Sequence, residues 1–254
     1  MPRTFFGPFG ENNSTYATPA GGNAGRFPAG HTLILPDGRE YRFTLNDATA
    51  EVAGALYQSA LPIANHLKVS VDVARAIGAV VVSATLGATL AGIDLYSEGY
   101  AHVNLTPGNG YMYRIKRAYA SGEGHAAVAA SGVLTANLVP GETVQVALTT
   151  SSRLTFTHNR YRVVLIHDSP PTAALVGVSP GVAAASRWYW SQVKGDAAVI
   201  TQGTLVVGDF CVPSATTDGA VMPSAAFETD GPYVGIVRAV NLTTEESAID
   251  LKIG

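Results

Sequence analysis

Charged side chains are scarce in this sequence. Asp, Glu, Lys and Arg make up 14% of its 254 residues, whereas globular domains average roughly 25%. The formal net charge of −3 does not provide the positive field that drives binding to nucleic acid, so we expect no nucleic-acid partner. So few charges are typical either of a surface covered by another subunit or of a large core under a Ser- and Thr-rich exterior.

Residues that carry catalytic or metal chemistry are also scarce. The single cysteine, Cys211, excludes an internal disulfide, and its apolar neighbours predict a small buried side chain. Neither a GxSxG nucleophile elbow nor a P-loop is present. The six histidines lack the short spacings of metal motifs; they are His31, His66, His102, His125, His158 and His167. We therefore expect no catalytic, cofactor-binding or metal-binding residues and a protein that is not an enzyme.

An enzyme whose site forms only in three dimensions, such as a glycoside hydrolase, is the alternative to that expectation. Asp94 and Glu98 are close enough in sequence to be neighbours, although paired acids are common by chance. A pocket with converging carboxylates of raised pKa would support this alternative.

One long uncharged stretch has to be considered as a possible membrane-spanning helix. Residues 76–93 contain no charge over eighteen positions, about the lower limit for a spanning helix. Their apolar content is mostly Ala and Val, and Gly78, Gly87 and Gly92 weaken a lone helix. We expect buried strands here and no contact with a membrane. The first residues, MPRTFFGPFGENN, lack the basic and apolar parts of a signal peptide.

Residues 1–30 have the composition of an extended N-terminal arm. They are rich in Gly, Asn, Ala and Pro and show no apolar period, so they cannot bury enough surface to fold alone. A solvated tail would carry few aromatic residues, and we expect this arm to dock on a neighbouring subunit rather than to be disordered. The candidate contact residues are Phe5, Phe6, Phe9, Tyr16 and Phe27.

Residues 31–168 have the pattern of a β-rich main domain. Pro36-Asp37-Gly38 predicts the turn of a hairpin over residues 31–43. Asn46 or Asp47 as a cap, with apolar residues at helical spacing, predicts one short helix over residues 46–61. From residue 68 onward, short alternating runs separated by Gly and Pro predict a β-sandwich or barrel.

One predicted strand, YMYRIKRAY at residues 111–119, has two different faces. Alternation places Tyr111, Tyr113 and Ile115 on an apolar face. The basic residues on or beside the other face are Arg114, Lys116 and Arg117. These three are either a solvated basic face or a contact with an acidic patch on a partner subunit. Three charges are a small footprint for nucleic acid or a glycan.

Three prolines mark a joint near the end of the main domain. Pro170, Pro171 and Pro180 disfavour a regular element across residues 168–181. Residues 183–254 follow as a small C-terminal β module of short apolar runs separated by turn residues.

The C-terminal module resembles the small β modules of head-surface proteins in tailed bacteriophages, of the capsid decoration, or cement, type. The resemblance covers roughly the last seventy residues. It rests on Trp190, Gly203, Val207-Gly208-Asp209, Val212-Pro213-Ser214, Asp218-Gly219, Val221-Met222-Pro223, Pro232-Tyr233-Val234-Gly235 and Ala248-Ile249-Asp250-Leu251. It implies a structural virion protein on the outer capsid surface that binds the major capsid protein and stabilises its lattice, often as a homotrimer.

The same modules are also similar to parts of phage tails and spikes. The alternative function is therefore a tail or receptor-binding module that recognises a surface glycan. In that case exposed tyrosines would line the sugar site, and the candidates are Tyr96, Tyr100 and Tyr119.

Overall fold

The chain folds almost entirely into β-structure, as the sequence predicts. A computed structural model describes residues 17–18, 27–118, 121–224, 232–242 and 245–253. The strands in these residues are β1 (Ala17–Thr18), β2 (Thr32–Ile34), β3 (Glu40–Asn46), β4 (Leu56–Gln58), β5 (Val69–Val71), β6 (Val81–Thr85), β7 (Tyr100–Leu105), β8 (Met112–Arg114), β9 (Val133–Asn137), β10 (Arg153–Thr157), β11 (Arg162–Ile166), β12 (Leu175–Val178), β13 (Trp188–Ile200), β14 (Phe210–Pro213), β15 (Val221–Pro223), β16 (Gly235–Ala239) and β17 (Glu246–Lys252). Their one helical element is a 3-10 turn at Ala64–His66.

The chain forms two compact units. The discontinuous unit comprises Met1–Leu61 and Arg160–Gly254, and the inserted unit comprises Pro62–Asn159. This grouping differs from the boundaries expected from the sequence, 31–168 and 183–254. The difference arises because β3 pairs with β13 and β11, so that the predicted main domain and C-terminal module share one sheet.

A closed five-strand barrel is the centre of the discontinuous unit. Its ring runs β3–β13–β12–β4–β11 and returns to β3, which pairs parallel with β11 while the other pairs are antiparallel. Aromatic packing supports the β3–β13 pair, since the Phe43 ring stacks on Trp188 with centroids 4.8 Å apart. Burial of such rings contributes to the stability of the barrel through the hydrophobic effect.

Strand β13 continues past the barrel into a C-terminal sheet. Its second half pairs with β17, and β16, β14 and β15 extend the sheet in that order. Val199, Cys211, Val237 and Ile249 are among its fully buried residues. Burial raises the pKa of the Cys211 thiol to about 12, so this cysteine is an inert core residue, as predicted.

The inserted unit is a six-stranded antiparallel sheet in the order β8–β7–β10–β5–β6–β9. An isolated bridge between Ile115 and Leu138 joins the sheet's two end strands. The predicted alternation is present over residues 112–115, because Tyr113 and Ile115 are buried while Met112 is exposed, but Tyr111, predicted on the same face as Tyr113, is 42% exposed. Residues 76–93 contain β6, and no helix in the described part of the chain is long and apolar enough to cross a bilayer.

The predicted hairpin over residues 31–43 is confirmed. Strands β2 and β3 pair with Thr32 opposite Arg42. Asp37 Oδ1 accepts a hydrogen bond from the Arg39 amide at 3.1 Å, and Gly38 has φ +88°. Asp therefore fixes the turn through its side chain while Gly supplies the left-handed conformation.

The prediction of a helix over residues 46–61 is wrong. This stretch contains the end of β3, a loop, and strand β4, whose three residues are all buried in the barrel. A helix would have buried Val52 and exposed Glu51, but Val52 is 47% exposed and Glu51 is 2% exposed. Tertiary pairing on both sides of β4 outweighs a weak local helical preference.

The joint predicted over residues 168–181 also needs correction. Strand β12, Leu175–Val178, lies within it, is buried at all four positions and pairs with both β4 and β13. Pro170, Pro171 and Pro180 flank this strand, so none of them removes a donor from its ladder.

Candidate interaction surface

Three connections of the inserted unit lie at the same end of its sheet. They are residues 72–80 between β5 and β6, residues 106–111 between β7 and β8, and residues 138–152 between β9 and β10. Every neighbouring pair in this sheet is antiparallel, so strands that end here alternate with strands that begin here. The topology therefore brings three sequence-distant segments together.

Backbone hydrogen bonds hold these connections against one another. Arg75 and Leu148 exchange two N–H···O bonds of 2.9 Å. The Val144 amide donates to the carbonyl of Ala79 at 2.9 Å. The Ser152 hydroxyl donates to the carbonyl of Pro107 at 2.8 Å. This end of the unit is thus a bonded framework on which side chains are held in fixed positions.

Six large apolar side chains on this framework are exposed. Their exposed fractions range from 42% for Tyr111 to 69% for Ile77. We call them the apolar end surface, and they are Val73, Ile77, Val80, Leu105, Tyr111 and Met112. Single exposed apolar residues are ordinary, whereas several on adjoining loops mark an interaction surface.

The Asp72 and Arg75 charges next to the apolar end surface are paired within the unit. The Ser83 hydroxyl links the Asp72 carboxylate to the Arg75 guanidinium, and the two charged groups lie 3.9 Å apart. Glu142 Oε1 accepts the Arg114 amide at 2.9 Å. Covering this end would consequently bury few charges without a partner, which keeps the desolvation cost of contact low.

The aromatic residues proposed as arm contacts separate into two groups. Phe5, Phe6, Phe9 and Tyr16 lie outside the described residues. Phe27 is partly buried in the discontinuous unit, where its ring lies 5.5 Å from those of both Phe43 and Trp190. Phe27 therefore packs on its own chain at this position.

The three basic residues do not share one exposed face. Arg114 is exposed. The Lys116 ammonium lies 3.5 Å from the Glu123 carboxylate. The Arg117 side chain is 13% exposed and pairs with the buried Glu98 at 3.6 Å. Two of the three charges are thus paired inside the inserted unit, and Arg114 is the one whose side chain is exposed.

Tyr96 does not belong to an exposed tyrosine site, contrary to the sequence-based expectation. It is fully buried, and its hydroxyl is hydrogen bonded to His66 Nδ1. Tyr100 is partly exposed, and Tyr119 lies outside the described residues. The sequence does not show that the Tyr96 hydroxyl has a hydrogen-bond partner, His66, inside the core. Tyr96 was therefore assigned to the surface.

Changing Tyr96 to Phe is expected to destabilise the inserted unit by about 1–3 kcal/mol, because a buried ring nitrogen of His66 loses its partner. Urea unfolding monitored by fluorescence measures the change. Tyr100→Phe is the matched control and should shift stability by less than about 0.5 kcal/mol. Equal effects of the two changes would show that the buried bond contributes nothing.

The neighbouring acids Asp94 and Glu98 have separate structural partners. The Asp94 carboxylate accepts the backbone amides of Gly122 at 2.6 Å and Gly124 at 2.9 Å. Glu98 pairs with Arg117, as above. The Asp94 carboxylate therefore holds the loop over residues 121–125, and the Glu98 carboxylate holds the chain near Arg117.

The discontinuous unit contains a cleft, and it also contains a carboxyl group with a raised pKa. The acids that line the cleft do not include that carboxyl group. Desolvation raises the pKa of Glu51 to about 8. The cleft has a volume of about 300 Å³. Its lining residues are Arg39, Tyr41, Ala53, Gly54, Val178, Pro180, Gln192, Asp196, Ala197, Ala198 and Glu246. Glu51 is not among them, so the converging acids of raised pKa that would support a glycoside hydrolase are not assembled in this cleft.

The described residues contain no group of three or more His, Cys, Asp or Glu side chains arranged to hold a metal ion. The apolar end surface was not predicted, because residues 76–93 were expected to form buried strands, whereas only Val81–Thr85 is a strand and Ile77 and Val80 before it are exposed. No protein-family model, curated protein or solved structure matches this chain.

Proposed function

We propose that this chain is a structural protein of a tailed-phage virion that binds the outer surface of the capsid, with the major capsid protein as its partner and a homotrimer as its working form. It acts through contact area rather than through bond-making chemistry. The apolar end surface is the observation that carries this proposal, and the sequence resemblance of residues 183–254 supplies the class of particle.

Physical reasons favour a contact role for this surface. Exposed apolar side chains gain roughly 25 cal/mol for each Å² that a partner removes from water. The charge content of 14% leaves few groups whose desolvation would oppose such contact. A trimer also closes on itself, so it covers apolar surface without generating an open polymer.

The mass of the protein in solution tests the proposed oligomer. Size-exclusion chromatography with light scattering should give three times the 26.3 kDa chain mass for the full-length protein. Removing residues 1–16 should lower the trimer fraction at the same concentration, because the deletion removes the apolar anchors Phe5, Phe6 and Phe9. The deletion leaves Phe27 in its packed position and retains the pairing of β1 with β13.

Circular dichroism and thermal unfolding are the controls for that deletion, and both should match those of the full-length chain. A full-length protein that is monomeric at micromolar concentration would contradict the trimer. A truncated protein with an unchanged trimer fraction would contradict a role for the arm alone. Binding to a glycan array without self-association would favour the receptor-binding alternative.

A further inference from the structure

Two connections are bonded together at one end of the five-strand barrel. Residues 47–55 join β3 to β4, and residues 179–187 join β12 to β13. The registers of these strands place both connections at the same end, since Leu45 lies opposite Trp188 and Val178 lies opposite Leu56.

Backbone and side-chain bonds run between the two connections along their length. The Glu51 amide donates to the Ala183 carbonyl at 2.7 Å, and the Ser186 amide donates to the Asp47 carbonyl at 2.6 Å. The Gly54 amide donates to the Ser179 carbonyl at 2.8 Å. Asn46 Nδ2 adds a bond to the Ala184 carbonyl at 3.0 Å. We call this pair of connections the latch.

The latch buries a carboxyl group that lacks a regular hydrogen bond. Glu51 is 2% exposed, and neither of its side-chain oxygens has a partner at hydrogen-bonding geometry. The Tyr189 hydroxyl is likewise buried without a regular bond. The Tyr57 hydroxyl accepts the Val52 amide at 2.8 Å. A carboxylate in this position would be an uncompensated buried charge, whereas a neutral carboxylic acid can stay buried at much lower cost.

Among the described residues, the groups that act on the Glu51 carboxyl do not include a cation. Burial is the largest influence and raises its pKa. The nearby Tyr57 and Tyr189 hydroxyls and the Asn46 amide favour the carboxylate, but burial outweighs them. The second connection contributes the Ala183 backbone, and the surrounding cluster adds the aliphatic side chains of Val164 on β11 and Val176 on β12. Asp47 repels a negative charge on Glu51, so its sign adds to the effect of burial.

We propose that the latch is controlled by a proton, with neutral Glu51 holding residues 47–55 and 179–187 together and loss of the proton favouring their separation. In the open form the carboxylate reaches water and the bonds between the connections are broken. The device is therefore closed most firmly in acid and loosens as the pH rises. It changes the exposure of apolar surface at the barrel end, and it does not depend on the function proposed above.

Hydrogen exchange measured by NMR on the full-length protein tests this latch. Protection factors, which divide out the intrinsic pH dependence of exchange, should be compared at pH 5.5 and 7.5 for the amides of Glu51, Gly54 and Ser186. In the wild-type protein they should fall about tenfold per pH unit, because opening releases one proton. In Glu51→Gln they should stay within about twofold, since the amide cannot ionise.

Two controls separate local opening from other effects. Amides of the β13–β17 ladder, such as Ala197 and Ile249, should be more strongly protected than Gly54 at every pH, because they open only when the whole unit unfolds. Glu40→Gln removes an acid that is paired with Lys194 at 2.9 Å away from the latch, and it should retain the wild-type pH dependence at Gly54.

Three results would overturn the latch. Protection at Gly54 could be independent of pH in the wild-type protein, or it could decline equally in Glu51→Gln. The β13–β17 ladder could also have the same protection factors as Gly54 at each pH, which would show unfolding of the whole unit in place of a local opening. If Glu51→Gln does not fold, Glu51→Asp gives the second measurement: it retains an ionisable group, and pH-independent protection in that variant would contradict the proposal.

Discussion

Replacing Glu51 with Gln should flatten the pH dependence of stability of the discontinuous unit. The folded protein holds the Glu51 proton up to a pKa of about 8, whereas the ordinary value is 4.5. Between these two values the folded state binds a proton that the unfolded state has released. Stability therefore falls as the pH rises through this window, and the term from Glu51 is constant below it and above it.

The size of this effect follows from the difference between the pKa of Glu51 in the folded protein and its ordinary value. One pKa unit corresponds to about 1.4 kcal/mol, so the wild-type protein should lose on the order of 4 kcal/mol from Glu51 between pH 5 and 8. Glu51→Gln should be close to the wild-type protein at pH 5 and clearly more stable at pH 8, because glutamine has nearly the same shape and no charge. Urea unfolding at a series of pH values measures both curves.

Other groups titrate in the same range, so the difference between variant and wild type is the informative quantity. Glu40→Gln serves as the matched control, since Glu40 lies on the surface in an ion pair with Lys194. Its curve should run parallel to that of the wild-type protein. If the stability curve of Glu51→Gln also runs parallel to that of the wild-type protein, Glu51 ionises without a cost to folding.

Local sequence signals predicted the elements that depend on local chemistry. The hairpin over residues 31–43 follows from Asp37 and Gly38 alone, and burial of Cys211 follows from its apolar neighbours. The inward position of Tyr113 follows from alternation along a single strand. Each of these features needs only the side chains within a few residues of it.

The features that the sequence did not predict depend on long-range pairing. Strand β12 and residues 46–61 were misassigned because their burial comes from neighbours more than a hundred residues away, as in the pairing of Tyr57 with Gly177. The burial of Glu51 was not predicted for the same reason. The apolar end surface was missed because its residues come from two connections, 72–80 and 106–111, and from the strand ends beside the second one, and neither segment alone shows a recognisable pattern.

The double substitution Ile77→Lys and Val80→Lys should abolish self-association of the chain. The two side chains are 69% and 61% exposed in the subunit, so the change should leave folding of the inserted unit intact. In the assembled form the added ammonium groups would be buried without partners, at a cost of about 3–5 kcal/mol or more. The dissociation constant should rise more than about 100-fold.

Light scattering across a concentration series measures this change, with the double substitution Val240→Lys and Leu242→Lys as the matched control. Val240 and Leu242 are 42% and 74% exposed and lie in the discontinuous unit, so the control adds the same two charges outside the apolar end surface and should keep the wild-type mass. If the Ile77 and Val80 variant retains the wild-type mass, or if the control dissociates as strongly, the apolar end surface is not the contact that holds the assembly together. Because the two double variants add equal charge at different places, their comparison separates a specific contact from a general effect of added charge on a charge-poor protein.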